Sequence, residues 1–239
     1  MPKPSFTIER RSDLELKAPD FLCDKCIHPQ ITAPLPSTAH AMLICGAPGS
    51  GKTSMMVSLL QNKQAYKKAF HQVFVVMPPS SARSLKNNIF EKHDKMYDDL
   101  TADTLEQILV QTRKSTKDNL NSLVVIDDFG AALKDGEIQR QLKELIWNRR
   151  HLRTSIWIML QSYISAPLQI RKAVSHLVTY KPRNKLEFLK IFEELIQLPK
   201  ETAEDLMRYV FDQKYTFLFA DCTTGELFKK FDLIKINDA

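Results

Sequence analysis

The chain has 239 residues, 44% of them hydrophobic and 26% charged, and its 34 Lys and Arg against 28 Asp and Glu give a net charge of +6. This is the composition of a globular protein with one sizeable core and appendages; it excludes wholesale disorder, collagen-like repeats and a disulfide scaffold. The positive balance is a mild lean toward polyanionic partners.

Cys23, Cys26, Cys45 and Cys222 do not make a disulfide framework in a chain of this size and read as reduced thiols of an intracellular protein. No apolar run approaches the roughly 20 residues of a membrane helix. The start, Met1-Pro2-Lys3-Pro4-Ser5, has no apolar signal core, so no membrane partner is expected.

In chain order, residues 1–40 come first. Pro2, Pro4, Pro19, Pro29, Pro34 and Pro36 break regular elements there. An extended proline-rich arm is expected over 1–40, lying on the main domain or on a neighbour, with the main domain at 41–239. Within the arm, Cys23, Cys26 and His28 have a zinc-like spacing but lack an obvious fourth ligand. His40 is the nearest, and small apolar thiols are the simpler reading.

From Ala41 onward short apolar runs alternate with helical stretches, the pattern of an α/β fold with a mostly parallel sheet and helices on both faces. Strands are expected at 42–45, 73–77, 123–126, 155–160, 177–180 and 215–220. Their apolar runs are unbroken, as in strands covered on both sides. Ile138, Leu142, Leu145 and Ile146 define one helical stripe, and Ala203, Leu206, Met207, Val210 and Phe211 another. Residues 221–226 read as a turn before a last strand at 227–236.

The run Gly46-Ala47-Pro48-Gly49-Ser50-Gly51-Lys52-Thr53 matches G-x-x-x-x-G-K-[ST] without a mismatch, between an apolar strand and a helix-compatible stretch that begins at Ser54. Glycines let the backbone wrap phosphates closely. The loop N–H groups and the following helix start then face the anion. Lys52 is expected at the β- and γ-phosphates of ATP and the Thr53 hydroxyl at Mg²⁺. The whole segment from Gly46 to Ser54 is the predicted nucleotide cradle.

Four apolar residues ending in Asp127 and Asp128 form a buried strand that delivers its acids to the sheet edge where open α/β folds bind ligands. Asp127 is the predicted Mg²⁺ residue and Asp128 the residue that orients or deprotonates water. Two adjacent acids repel, so a metal's charge must compensate. Gln161 ends the next strand, where its amide can reach a γ-phosphate, the lytic water, or only solvent.

Arg149 and Arg150 stand between a helix and the Gln161 strand, with Arg171 a further candidate. A guanidinium supplied by a neighbouring subunit can stabilise the charge that develops in phosphoryl transfer. The plainer reading is a solvated basic helix end. Clusters at Lys67-Lys68, Arg171-Lys172, Lys181 to Lys185 and Lys229-Lys230 can line a channel for a phosphate backbone or simply solvate the surface.

The phosphate loop, the double Asp and the block from Arg149 through Gln161 together resemble the DNA-packaging ATPases of large double-stranded DNA viruses. These are the poxvirus-type enzymes of the FtsK–HerA branch of P-loop motors, and the similarity spans residues 43–180. The resemblance implies a RecA-like core assembling as a homo-oligomeric ring. It also implies ATP hydrolysis with Mg²⁺ that drives double-stranded DNA into a capsid, in the host cytoplasm at viral assembly sites or in the virion. Lys52, Thr53, Asp127, Asp128 and Gln161 then fall at the nucleotide, magnesium, water and sensor positions, with an arginine near Arg149–Arg150 or Arg171 acting in trans. Many relatives carry Glu where this chain has Asp128, one methylene shorter. Two other classes fit the same cradle: a small-molecule nucleotide kinase and a nucleotide-binding assembly switch. A guanine-selective GTPase is disfavoured, because no Asn-Lys-x-Asp segment occurs.

Overall fold

A computed structural model describes residues 25–84, 90 and 95–236. In chain order its elements are β1 (Ala41–Cys45), α1 (Lys52–Gln61), β2 (Gln72–Val76), α2 (Pro79–Ser84), β3 (Met96–Tyr97), α3 (Ala102–Lys117), β4 (Ser122–Asp127), α4 (Gly136–Trp147), β5 (Thr154–Leu160), α5 (Leu168–Ala173), β6 (His176–Tyr180), α6 (Lys185–Ile191), α7 (Lys200–Val210), β7 (Phe217–Asp221), β8 (Leu227–Lys229) and β9 (Asp232–Leu233). The nine strands form one sheet in the order β3-β2-β4-β5-β1-β6-β7-β8-β9. The first six in that order run parallel. The last three continue antiparallel from β6.

Strand periodicity explains why the apolar runs are unbroken. Leu43, Cys45, Val124, Ile126, Ile156 and Ile158 face a layer built from α3 to α7. Their alternates Met42, Ile44, Leu123, Val125, Trp157 and Met159 face α1 and the segment around Tyr66. Each set is fully buried, and each such side chain contributes about 1.5–3 kcal/mol. The expected stripe of Ile138, Leu142, Leu145 and Ile146 is the buried face of α4, whose start is capped by Asp135 accepting from the N–H groups of Glu137 and Ile138. In α7, Ala203, Leu206 and Val210 are buried, with Met207 and Phe211 packed beside them.

Two expectations change. The last strand, expected at 227–236, is two short strands, because Lys230 takes a left-handed backbone (φ 57°) and turns the chain. The short edge strand β3 carries no apolar run of its own and had no signal in the sequence.

The described part of the arm, residues 25–40, has no helix or strand and packs on its own domain. Ile27 is buried and its carbonyl accepts from Asn121 Nδ2 at 2.9 Å. The Tyr66 hydroxyl donates to the Pro36 carbonyl at 3.0 Å. At the end of the arm, Trp157 Nε1 donates to His40 Nε2 at 2.9 Å. The proton of this imidazole therefore sits on Nδ1, 2.9 Å from the Thr38 carbonyl. With both nitrogens engaged, His40 does not serve as a fourth zinc ligand. Residues 1–24 of the arm, Cys23 included, lie outside the described residues. Among the described residues no cluster of three His, Cys, Asp or Glu is placed to hold a metal, and no helix is long and apolar enough to cross a membrane.

Candidate functional site

β4, β5 and β1 are neighbours, and each carries one part of the site just past its carboxyl end. The Gly46 N–H donates to the Leu160 carbonyl at 3.1 Å, and the Asp128 N–H donates to the Met159 carbonyl at 3.0 Å. The last two carbonyls of β5 therefore hold the glycine loop on one side and the acidic turn on the other. Strand spacing puts the ends of β1 and β4 about 10 Å apart, the scale of a polyphosphate with its cation. Gln161 leaves β5 between them.

The loop has the close approaches that require glycine. A Cβ on Gly46 would meet Ser50 Oγ at 2.7 Å and Tyr180 Cβ at 2.8 Å. Gly51 precedes α1 with φ 105°, a conformation side chains resist. No side chain caps α1 and no acid stands in its first turn, so its free N–H groups and dipole favour an anion. Thr53 and Ser54 begin that helix. Pro48 and Gly49 form the exposed tip of the loop, and the Ser50 hydroxyl is buried without a partner among the described residues. Lys52 Nζ folds back to donate to the carbonyls of Gly46 and Ala47. Burial lowers its pKa, opposed by the charges of Asp127 and Asp128; Arg183 adds a smaller lowering of its own.

Asp127 is buried. Burial first, then the neighbouring Asp128 charge, raise its pKa to about 6, against the pull of Lys52. Asp128 is exposed and left-handed (φ 63°). This backbone costs a non-glycine residue energy and is concentrated at functional sites. Gln161 Nε2 donates to both Asp128 oxygens at 2.9 Å. Loop, lysine, both acids and the glutamine thus meet at one edge. Two mutually repelling carboxyls, Asp127 and Asp128, at the same sheet edge as the Thr53 hydroxyl are oxygen groups that could hold a hard divalent cation such as Mg²⁺, whose charge would relieve the repulsion.

The arginines lie elsewhere. Arg149 and Arg150 precede β5, at the opposite end of the sheet. Seven strand residues put them about 20 Å from Gln161. They line a separate cleft of about 540 Å³ with His40, His176 and Asp221. Arg149 is half-buried, donates to the Ile146 carbonyl at 3.0 Å, and has its pKa lowered by burial and then by Arg150. Neither residue reaches the phosphate loop of its own chain. Arg171 is a correction to the sequence reading: it is buried and pairs in two-pronged fashion with Glu194 at 2.8 and 2.9 Å while donating to the Ala166 carbonyl. Lys229, expected in a basic cluster, is tied to Asp212 at 2.7 Å.

Sequence reasoning missed Tyr180 and Tyr215, which flank the loop, and read Lys230 only as part of a basic cluster rather than as a neighbour of the loop. Only the strand order reveals them, since β6 lies beside β1 and β7 beside β6.

A parallel sheet with a phosphate loop after its central strand and paired acids two strands away defines a P-loop nucleoside triphosphatase core. Within that class the chain belongs to the poxvirus A32 protein family, whose profile matches residues 32–195. The comparison with curated proteins finds no match. Among solved structures, the chain is similar to B204, the DNA-packaging ATPase of Sulfolobus turreted icosahedral virus, with a TM-score of 0.61 and 14% identity over 83% of this chain and 98% of that one. The genome-packaging NTPase B204 of Sulfolobus turreted icosahedral virus 2, in complex with ATP-gammaS, matches with a TM-score of 0.58 and 15% identity over 82% and 98%. The cytoplasmic domain of the type VII secretion ATPase EccC of Thermomonospora curvata matches with a TM-score of 0.59 and 12% identity, over 87% of this chain and 27% of that one.

Proposed function

We propose that this chain is an ATP-hydrolysing motor that moves double-stranded DNA and packages a viral genome into a capsid. The observation that carries the reading is the meeting of phosphate loop, Asp127–Asp128 and Gln161 at one sheet edge, in a poxvirus A32 family chain with the fold of the B204 packaging ATPases. That same combination favours the motor over the nucleotide kinase and the assembly switch. The arm over 1–40 and the ATPase domain over 41–239 are its two parts.

In this mechanism the free N–H groups at Gly49 and from Gly51 to Ser54 hold the α- and β-phosphates. Lys52 leaves the Gly46 carbonyl to meet the β- and γ-phosphates. Thr53 and Asp127 would hold Mg²⁺, which would supply charge to neutralise the terminal phosphates. Asp128 orients the attacking water and receives its proton, and Gln161 fixes the Asp128 carboxylate. Arg149 or Arg150 stabilises the developing charge on the nucleotide of a neighbouring subunit, which requires a ring. Exposed Lys67, Lys68 and Lys172 supply cations that grip DNA phosphates without reading bases. The work is done at assembly sites in the host cytoplasm.

The test is ATP turnover with and without duplex DNA across a salt series. Stimulation that is strongest at low salt and fades as salt rises is expected. A rate indifferent to DNA at every salt concentration contradicts a DNA motor.

A further inference from the structure

Beside the phosphate loop lies a cleft of about 630 Å³ whose aromatic wall has no part in the hydrolysis described above. One side is Gly51 and the first turns of α1 as far as Ser58. The other is Tyr180, Tyr215, Phe217 and Lys230. A Cβ on Gly51 would lie 3.5 Å from Tyr215 Cδ1 and 3.6 Å from the Tyr180 hydroxyl, so both rings stand over the loop. Tyr180 is buried and is the floor, whereas Tyr215 is 55% exposed. Lys214 Nζ lies over the Tyr215 ring, 4.9 Å from its centroid.

Strand order says which end of a nucleotide reaches this cleft. The acids and Gln161 lie on the β5 and β4 side of β1, while Tyr180 and Phe217 lie on the β6 and β7 side. A triphosphate whose terminal group faces Asp127 and Asp128 therefore sends its nucleoside the other way, along α1 and under the aromatic wall. Backbone strain marks the same place. Tyr215 (φ 64°) and Lys230 (φ 57°) are both non-glycine residues in left-handed backbone. The Lys230 N–H donates to the Phe217 carbonyl at 2.9 Å, which fixes the turn that brings the lysine to the rim.

We propose that Tyr215 is the nucleobase platform of this enzyme, with Lys230 forming the opposite rim. The proposal rests on the nucleotide reading of the phosphate loop and adds residues outside the family match at 32–195. Neither a carboxylate nor a carboxamide is among the residues lining the cleft. Ser54, Ser58 and Lys230 can each meet a base edge, but stacking on Tyr215 is open to every base, so the ligand class is a nucleoside triphosphate with little preference between adenine and guanine.

The test compares calorimetric binding of ATP, GTP and inorganic tripolyphosphate by the wild type, Tyr215→Ala and Tyr215→Phe. Tripolyphosphate has the phosphates without the base. Tyr215→Ala is expected to weaken ATP and GTP by about tenfold or more and to leave tripolyphosphate unchanged, with Tyr215→Phe restoring both nucleotides. Equal weakening of all three ligands by Tyr215→Ala, or of none, overturns the proposal, as does rejection of GTP by the wild type. If the wild type binds neither tripolyphosphate nor ATP, the phosphate cradle itself fails and the base platform falls with it. The ring is exposed, so its removal leaves both cores intact.

Discussion

Gln161 Nε2 stands 2.9 Å from each carboxylate oxygen of Asp128, so one amide group fixes the orientation of the acid proposed to position water. The β5 ladder holds both: Asp128 through its N–H on Met159, Gln161 through the strand itself. Asp128→Asn is expected to lower kcat about 10²–10⁴-fold, the usual contribution of a positioned base, while ATP affinity is retained. Gln161→Ala lowers kcat less. Gln161→Glu puts a second carboxylate against Asp128, and the repulsion is expected to lower kcat further than Gln161→Ala does. Steady-state kinetics across pH distinguish these outcomes.

Asp127 is held near pKa 6 by burial and by Asp128. A raised carboxyl binds its proton more tightly when folded. It therefore contributes stability below its unfolded pKa, and that contribution is lost as pH rises through about 6. Without nucleotide or metal, Asp127→Asn is expected to be more stable than the wild type at pH 8 by about 1–2 kcal/mol, yet inactive. Thermal melts at pH 5 and pH 8 check the sign, and the difference should shrink at pH 5.

The opposite linkage operates at the other end of the sheet. His40 is pushed down to about 3, by burial and then by the His176 charge, and His176 to about 4, chiefly by burial. Both are neutral in the fold and take up protons more readily when unfolded. Stability is full above about pH 6.5 and falls as pH drops toward 4, by up to about 1.4 kcal/mol per pH unit for each imidazole. Between pH 4 and 6 Asp127 offsets part of this slope. Urea melts from pH 7 to 4.5 are expected to show the loss, and His40→Gln to flatten it.

The phosphate loop, the acids and the six main strands were legible because each is local: a fixed spacing of glycines, or an apolar run ending in charge. Gln161 was legible as a position but not as a partner, since its pairing with Asp128 depends on the β4–β5 register. Arg171 misled because sequence shows a cation and not what covers it. Glu194, which neutralises it, comes from a different helical segment 23 residues away. Tyr215 was silent and Lys230 was legible only as a surface cation, because their place beside the loop is set by the β6–β7 pairing and by left-handed turns that no residue type announces.

Arg171 should therefore act on stability. Its guanidinium and the Tyr163 hydroxyl share Glu194, and both charges of the pair are nearly buried. Arg171→Ala strands that carboxylate and is expected to cost about 3–5 kcal/mol, with kcat per folded molecule unchanged. The double variant Arg171→Met, Glu194→Gln loses less than either single change. Chemical denaturation of the four proteins measures the coupling.

The most direct measurement is phosphate release from ATP by the wild type and by Lys52→Ala, with both shown to melt as folded proteins. Among the described residues the Lys52 ammonium donates to the Gly46 and Ala47 carbonyls of the loop, so the fold is expected to survive its loss. Turnover in the wild type and none in Lys52→Ala is the predicted result. Undiminished turnover in Lys52→Ala, or none in the wild type with Mg²⁺ and duplex DNA present, would contradict the assignment of the loop as the seat of ATP hydrolysis.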